Sequence, residues 1–438
     1  MAQDQEGPVT PGSSVVFVSG GLLKRLPEDL VVNFSIGASL DTGFPVGELY
    51  LDDSDGKILN GLLVAPGDLF YAMSASSSSK ITESTPLLVV GIDTIEDDGS
   101  ITGNSAPRSL AGTYSGLIKL TLAHPWVALN NSSNEAYKGT TTEIITSLIT
   151  NARKRSKLPL IIGDLGKQVQ VDQNEVLIRY RIDKSEIKFI IEDLLPFTTI
   201  NAKPCYFFID DIGKLNLTTF DIMFKKPSKV VFIPPMNQLG VEGFVLPKKK
   251  EKEQFVEVVD VKLKIGANFT KQILRLKQNF RVVDSITNTT LKLNHFAKPQ
   301  NDGIVLIKKQ FLADASGTKS TSYDYRIAKE YLFKQTNTVK ELDKFLEVEV
   351  ITAYCFSAVC VGDTATLNLF AKFGSAWANG KYVVSETNHY KRGSKLFSKF
   401  TLIKPTIDLD ELKNEMGIKE FSKELGKLFE DCVDLANI

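Results

Sequence analysis

Histidine is scarce in this chain, three among 438 residues, and cysteine is nearly so, with four. Cys205, Cys355, Cys360 and Cys432 show no CxxC spacing. A zinc site therefore has no ligand framework, and the four read as reduced thiols of a cytosolic product. Cys355 and Cys360 share the strand-like run ITAYCFSAVC, where odd spacing puts them on opposite faces of a regular strand. Neither sign of charge is in surplus, with 52 basic and 52 acidic residues. That argues against nucleic-acid binding as the main task, because phosphate contacts draw on a basic face. No run approaches the roughly 18 apolar residues of a membrane span. The first residues, MAQDQEGPVTPGSS, have neither a basic n-region nor an apolar h-region, so no signal peptide is expected. GxSxG, HExxH, P-loop and GxGxxG motifs are absent. The acidic stretch Asp52–Lys57 lacks the Gly and Glu spacing of a calcium loop and reads as a solvated turn. No catalytic, cofactor-binding or metal-ligating residue is nominated.

What is present is β-structure. The chain is 43% apolar, enough for a sizeable core. Its length allows two to four domains at about 150 residues each. Residues 1–14 read as a flexible arm. Residues 15–133 hold short β-type runs broken by Gly, Asp and Ser, and are expected to form a first β-barrel. Residues 134–244 read as an α/β insertion whose last strands could rejoin the first barrel. There TTTEIITSLITNARKR places Ile144, Ile145, Leu148, Ile149 and Ala152 on one helical face, with Thr140 and Glu143 as a capping box. A second helix is expected from Asp183 and Glu186, in the same relation, to Pro196. A hairpin then turns at Asp210–Gly213. Residues 245–254 form a charged linker, with Glu251 and Glu253 interleaved among lysines. Residues 255–405 are expected to form a second barrel with a helical insertion, and residues 406–438 a C-terminal helix. The fold class is thus mainly β, with an α+β insertion between two small antiparallel barrels.

The two β regions resemble each other. Val64–Asp68 (VAPGD) matches Val359–Asp363 (VCVGD) at an offset of 295. LVV ending at Val90 matches YVV ending at Val384, and Gly99 matches Gly393, both at 294. KLTLAHP, from Lys119, matches KFTLIKP, from Lys399, at 280. The drop is accounted for by a longer hairpin loop in the first copy, ITGNSAPRSLAGTYS. The repeated features are the turns at Gly67, Asp68, Gly99, Gly362, Asp363 and Gly393, which point to one small barrel or curved sheet present twice. His389 falls on a hairpin strand of the second copy, opposite Ile95 in the first, and reads as a structural or surface residue. Catalytic histidines need a held partner, and His124 and His295 sit in unlike contexts.

The second copy, VGDTATLNLF followed by GKYVVSETNHYKRGSKLFSKFTLIKP, resembles the last barrel of the baseplate hub proteins of contractile-tailed bacteriophages. The pattern is carried by Gly362, Asp363, Gly380, Tyr382, Val384, Glu386 and His389. KGTTTEIITSLI and IIEDLLPFTTINAKPCYFFIDDIGKLNL resemble the helix and hairpin regions of the same family, so the likeness runs from about residue 30 to 405. The fold also occurs in hubs of type VI secretion spikes and related injection systems.

The resemblance implies a non-enzymatic structural hub in the virion tail baseplate, made in the host cytoplasm. It implies a homotrimer whose six β-units form a pseudo-sixfold ring. Its implied partners are hexameric tail tube proteins on one side and a trimeric spike protein on the other. Tape measure and baseplate wedge proteins are further candidates, with DNA meeting the chain by passage through the lumen. Unlike the secretion spikes, the chain shows no long β-rich extension after Pro405, which implies a spike on a separate chain. Phe421, Leu425, Leu428, Cys432 and Leu435 are spaced 4, 3, 4 and 3 apart. This seam either packs on its own domain or docks on a neighbouring subunit or the spike. The rival functions are a hub of a non-phage injection system, a tail-associated peptidoglycan hydrolase, and a carbohydrate-binding module. The last would present exposed aromatics, for which Trp126 and Trp377 are the candidates.

Overall fold

The computed structural model describes residues 13–19, 22–26, 30–53, 58, 64–75, 81–83, 87–95, 116–128, 133–156, 177–195, 198–200, 203–235, 254–265, 280–283, 290–293, 340–341, 343–353, 359–369, 378–392 and 395–405. The expected arm up to residue 12, the linker up to residue 253, the helical insertion of the second barrel and the C-terminal helix lie outside them.

Alternating sequence makes the strands. In LIKLTLA, Ile118, Leu120 and Leu122 point inward and are at most 2% exposed. In LEVEVITA, Leu346, Val348 and Val350 are fully buried while the residues between them are not. Period-2 burial of this kind marks a sheet with one face on a core.

The first copy contains β1 (Ser13–Ser19), β2 (Leu22–Arg25), β3 (Val31–Ser39), β4 (Val46–Asp52), β5 (Leu69–Ala75), β6 (Ile81–Glu83), β7 (Leu87–Ile95) and β8 (Leu117–Ala123). Helix α1 (Pro125–Ala128) leads into the insertion. The insertion begins with the pair β9 (Ser133–Gly139) and β10 (Leu177–Lys184), with helix α2 (Thr141–Ser156) between them. Helix α3 (Glu186–Phe189) runs on as a π-helical turn, Ile190–Leu194. Then follow β11 (Thr199–Ile200), β12 (Lys203–Pro204), β13 (Tyr206–Ile209), β14 (Leu215–Thr218), α4 (Phe220–Lys225) and β15 (Val230–Ile233). The second copy holds β16 (Gln254–Ile265), β17 (Phe280–Val283), β18 (Thr290–Leu293), β19 (Leu346–Ala353), β20 (Thr364–Leu367), β21 (Gly380–Arg392) and β22 (Lys395–Lys404).

Strands β21, β22, β19, β16, β15 and β20 pair in that order, and β20 returns to β21, closing a barrel. Here the structure corrects two expectations. The last strand of the insertion, β15, joins the second barrel and not the first. It also runs parallel to both neighbours, so that barrel is not purely antiparallel. Val230, Val348, Tyr382, Val384, Phe400 and Leu402 fill its core.

The first copy repeats the same wiring. Strand β3 pairs with β4, β4 with β8, β8 with β7 and β7 with β5, all antiparallel. Strands β16, β19, β22, β21 and β20 are connected in the same way. Two bulges recur as well. The register slips between Val89 and Gly91 in β7 and between Val384 and Glu386 in β21. It slips again between Val31 and Asn33 in β3 and between Val258 and Asp260 in β16. Bulges bend and twist a strand, so the two sheets curve at matched places. From β5 the first copy continues to β1 and β2, and among the described residues it does not close on itself.

The insertion has its own core. Ile144, Ile145, Leu148, Ile149 and Ala152 of α2 are at most 2% exposed. Thr140 and Glu143 cap the helix reciprocally: the Thr140 N–H donates to Glu143 Oε2 at 2.8 Å and the Glu143 N–H to Thr140 Oγ1 at 3.3 Å. The second capping box does not form. Ser185, not Asp183, accepts from the Lys188 N–H. Asp183 adopts φ +52°, its N–H bonded to Asn134 Oδ1 at 2.8 Å. Glu186 is buried instead, accepting from Trp126 Nε1 at 3.0 Å and pairing with the buried Arg181 at 3.5 Å. Trp126, 2% exposed, packs edge-on against Phe44 and Phe207. It is a core residue and no platform for sugar.

Candidate functional site

The repeated turns carry the same backbone bonds. The Gly67 N–H donates to Val89 O and the Val89 N–H to Asp68 O, each at 2.9 Å. The Gly362 N–H donates to Val384 O and the Val384 N–H to Asp363 O, again at 2.9 Å. Each aspartate carboxylate reaches back three residues, to the Ala65 N–H at 2.9 Å and the Cys360 N–H at 3.0 Å. Both glycines have positive φ, +101° for Gly67 and +79° for Gly362, which an L side chain resists. The paired residues place Val89, not Val90, opposite Val384. The offset is thus 295 throughout this hairpin's first strand, and His389 corresponds to Thr94, not Ile95.

The copies meet along β3 and β21. Their register is Ser35 with Tyr390, Gly37 with Asn388 and Ser39 with Glu386. Gly37 is required at this joint, since a Cβ there would stand 2.4 Å from the Thr387 carbonyl oxygen. Ser35 Oγ donates to Asn388 Oδ1 at 2.9 Å. An open groove of about 400 Å³ runs along the seam, lined by Gly37, Val46, Glu48, Thr121, Glu386 and Asn388 among others. On the opposite face, Ala38, Leu40, Tyr206, Phe208, Met223, Val361, Val383 and Ile403 form one cluster. The first copy, the insertion and the second copy are thereby packed together.

Asp211 ties this junction. It is 5% exposed, accepts from the Val361 N–H at 3.0 Å and accepts from the Thr387 hydroxyl. Burial raises its pKa, while the hydrogen bonds from Thr387 and Val361 pull the other way. Asp210 beside it caps the hairpin turn, accepting from the Lys214 N–H at 2.7 Å. Burial, with help from the Asp211 and Asp363 charges, pushes Asp210 up to about 6 despite that backbone bond. Lys226 Nζ donates to Gly362 O at 3.3 Å, and Lys229 pairs with Asp363 at 2.7 Å. Burial pushes the Cys360 thiol up, so it is no ready nucleophile. Cys360 lies in the turn and not in strand β19, which ends at Ala353; Cys355 lies outside the described residues.

His389 is 1% exposed, with Nδ1 2.8 Å from Ser398 Oγ and its ring edge-on to Phe400. Burial depresses it to about 3, and His124 to about 4. Both are neutral near pH 7 and pack as core residues. Among the described residues no group of three or more His, Cys, Asp and Glu side chains could hold a metal ion. Gly99, Gly393, Trp377 and the seam Phe421, Leu425, Leu428, Cys432 and Leu435 lie outside the described residues. The structure adds a signal the sequence did not give: the strand order β7-β8-β4-β3 continues directly into β21-β22-β19-β16, the same four-strand unit twice.

No known family profile and no curated protein matches the chain. Solved structures similar to it include tail proteins, one of them from a prophage, and a type VI secretion system component. A tail protein from Neisseria meningitidis aligns with a TM-score of 0.48 and 8% identity, over 90% of this chain and 98% of that one. A 43 kDa tail protein of a Shewanella oneidensis prophage aligns with 0.48 and 10% identity, over 90% and 99%. An Escherichia coli type VI secretion system component, itself described as similar to T4 bacteriophage tail proteins, aligns with 0.46 and 9% identity, over 86% and 74%.

Proposed function

We propose that the chain is the structural hub of a phage contractile-tail baseplate, working by assembly and without chemistry of its own. Three chains, each bringing two copies of one sheet unit, would make a ring of six. Such a ring can seat a hexameric tail tube on one face and a trimeric spike on the other. The observation that carries the reading is the head-to-tail joint of β3 and β21, which places one copy beside the other by strand pairing. A joint of that kind is heterologous: it leaves a mating edge at each end of the chain, and closes into a ring when the rotation allows. Closure also hides edges that would otherwise invite aggregation.

In this reading the lumen passes the tape measure and then DNA, wedge proteins grip the outside, and residues 406–438 tether a neighbour or the spike. Electron microscopy of tail tips tests it. Three copies in a six-lobed ring between tube and spike support it, and a tip lacking this chain refutes it. A lytic band from purified protein on a peptidoglycan gel would overturn the non-enzymatic part.

A further inference from the structure

One copy lacks a lysine that the other uses. In the second copy, Lys264 of β16 lays its ammonium between Glu347 and Glu349 of β19, 2.8 Å from the first and in close contact with the second. Glu349 also carries Lys399 of β22, at 3.5 Å. The first copy has the same frame. Glu48 pairs with Thr121 across β4 and β8, as Glu349 pairs with Thr401 across β19 and β22. Lys119, the counterpart of Lys399, sits on Glu48 at 2.7 Å. Gly37 pairs with Val46 across β3 and β4, as Lys264 pairs with Glu347 across β16 and β19. The position of Lys264 is thus taken by Gly37, and that of Glu347 by Val46.

The joint is the cause. A side chain at position 37 would run into the Thr387 carbonyl oxygen, so the pairing of β3 with β21 excludes a lysine there. What remains is the open groove of about 400 Å³ lined by Gly37, Val46, Glu48 and Glu386. Among the described residues Lys119 is the one cation on Glu48, whose side chain is 45% exposed against 18% for Glu349. Glu386, which accepts from Thr401 Oγ1 at 3.3 Å, brings a second carboxylate, and Val46 is 48% exposed. We propose that the groove seats the side chain of a lysine from a partner protein, its stem along Val46 and its ammonium on Glu48 and Glu386. That lysine takes the place that Lys264 fills in the second copy. Charge complementarity selects it: carboxylates only accept hydrogen bonds, and an ammonium brings three donors. The groove is open to solvent, so the contact fixes the partner's register more than it adds affinity. Nothing in it depends on which assembly the chain serves.

The test is carbodiimide coupling, which forms an amide between a carboxylate and an amine already in contact. Extracts of cells that make the full chain with its natural partners are coupled, and the cross-linked peptides are read by mass spectrometry. Amides of Lys264 with Glu347 or Glu349, and of Lys119 with Glu48, are the internal controls. A further amide, from Glu386 or Glu48 to a lysine of a different protein, is expected. Val46→Lys puts an ammonium of the chain's own into the groove. It is expected to lower the yield of the outside amide about tenfold, the combined effect of two solvent-open ion pairs, while the Lys264 amides persist. Internal amides with no link from Glu48 or Glu386 to another protein overturn the proposal. So does a link to a lysine of this chain's own sequence, or an outside link that Val46→Lys leaves at full yield. Absence of the Lys264 amides from the parent chain would overturn it too, by removing the contact on which the occupant is patterned. Microscopy of tail tips reads the hub role separately, so the two can fail independently.

Discussion

Gly67–Asp68 and Gly362–Asp363 form the same turn with the same backbone bonds, yet one stands at the surface and the other is covered. A Cβ on Gly67 would meet nothing within 4 Å, while one on Gly362 would meet Phe208 Cζ at 2.4 Å. The cover on the second turn is the insertion: Phe208 and Met223 against the glycine, Asp211 on the Val361 N–H, Lys226 on the Gly362 carbonyl. The exposed turn forms without any of this. Its geometry is therefore local, set by a positive-φ glycine and an aspartate that bonds back to its own loop. Docking of the insertion is a further layer of contacts, present at one copy alone.

Substitutions separate the layers. Gly362→Ala carries both a positive-φ penalty and a steric clash, together about 3–4 kcal/mol. Gly67→Ala carries the first alone, about 1–2 kcal/mol. Denaturant midpoints measure both, and equal losses would break the distinction drawn between the turns.

Asp210 gives the next effect, and its sign depends on pH. The native state holds its proton more tightly than the unfolded chain does. Its contribution is complete below the ordinary value of 3.8 and is lost as pH rises through about 6. Asp210→Asn keeps an acceptor for the Lys214 N–H and removes the buried charge. Its stability relative to the parent is expected to climb between pH 4 and pH 7 by up to about 3 kcal/mol. A flat difference across that range would show that Asp210 ionises in the fold without cost.

Asp211→Ala leaves the Val361 N–H and the Thr387 hydroxyl without their acceptor, at about 2 kcal/mol. Hydrogen exchange should then quicken at Val361, while the Ala65 N–H of the matching turn keeps its rate. Lys229→Ala removes an ion pair whose lysine is 54% exposed. A loss below about 1 kcal/mol is expected, fading in high salt.

Much of this was legible in the residues. Alternation in LIKLTLA and LEVEVITA marked strands, and Thr140 with Glu143 marked a helix start. What failed has physical causes. At Asp183 the spacing suited a cap, but Ser185 was nearer the helix and Glu186 was drawn inward by Arg181 and Trp126. The repeat slipped by one residue at Val90 because two valines stand side by side, Val89 and Val90, and LVV suits YVV in letters; the pairing of Val89 with Leu122 and of Val384 with Leu402 sets the true offset. Helices α1 and α4 are too short for periodicity to show. Strand β15 could not be assigned because VVFI is apolar on both faces, and such a run fits any buried strand. The joint of β3 and β21 is a contact between residues about 350 apart, beyond any local pattern.

The number of copies of this chain in an assembled tail tip tests the proposed hub role most directly. Electron microscopy of tips with this chain labelled gives that number. Three copies, each filling two lobes of a six-lobed ring, are predicted. Six copies filling one lobe each, or a single copy on the axis, would contradict it.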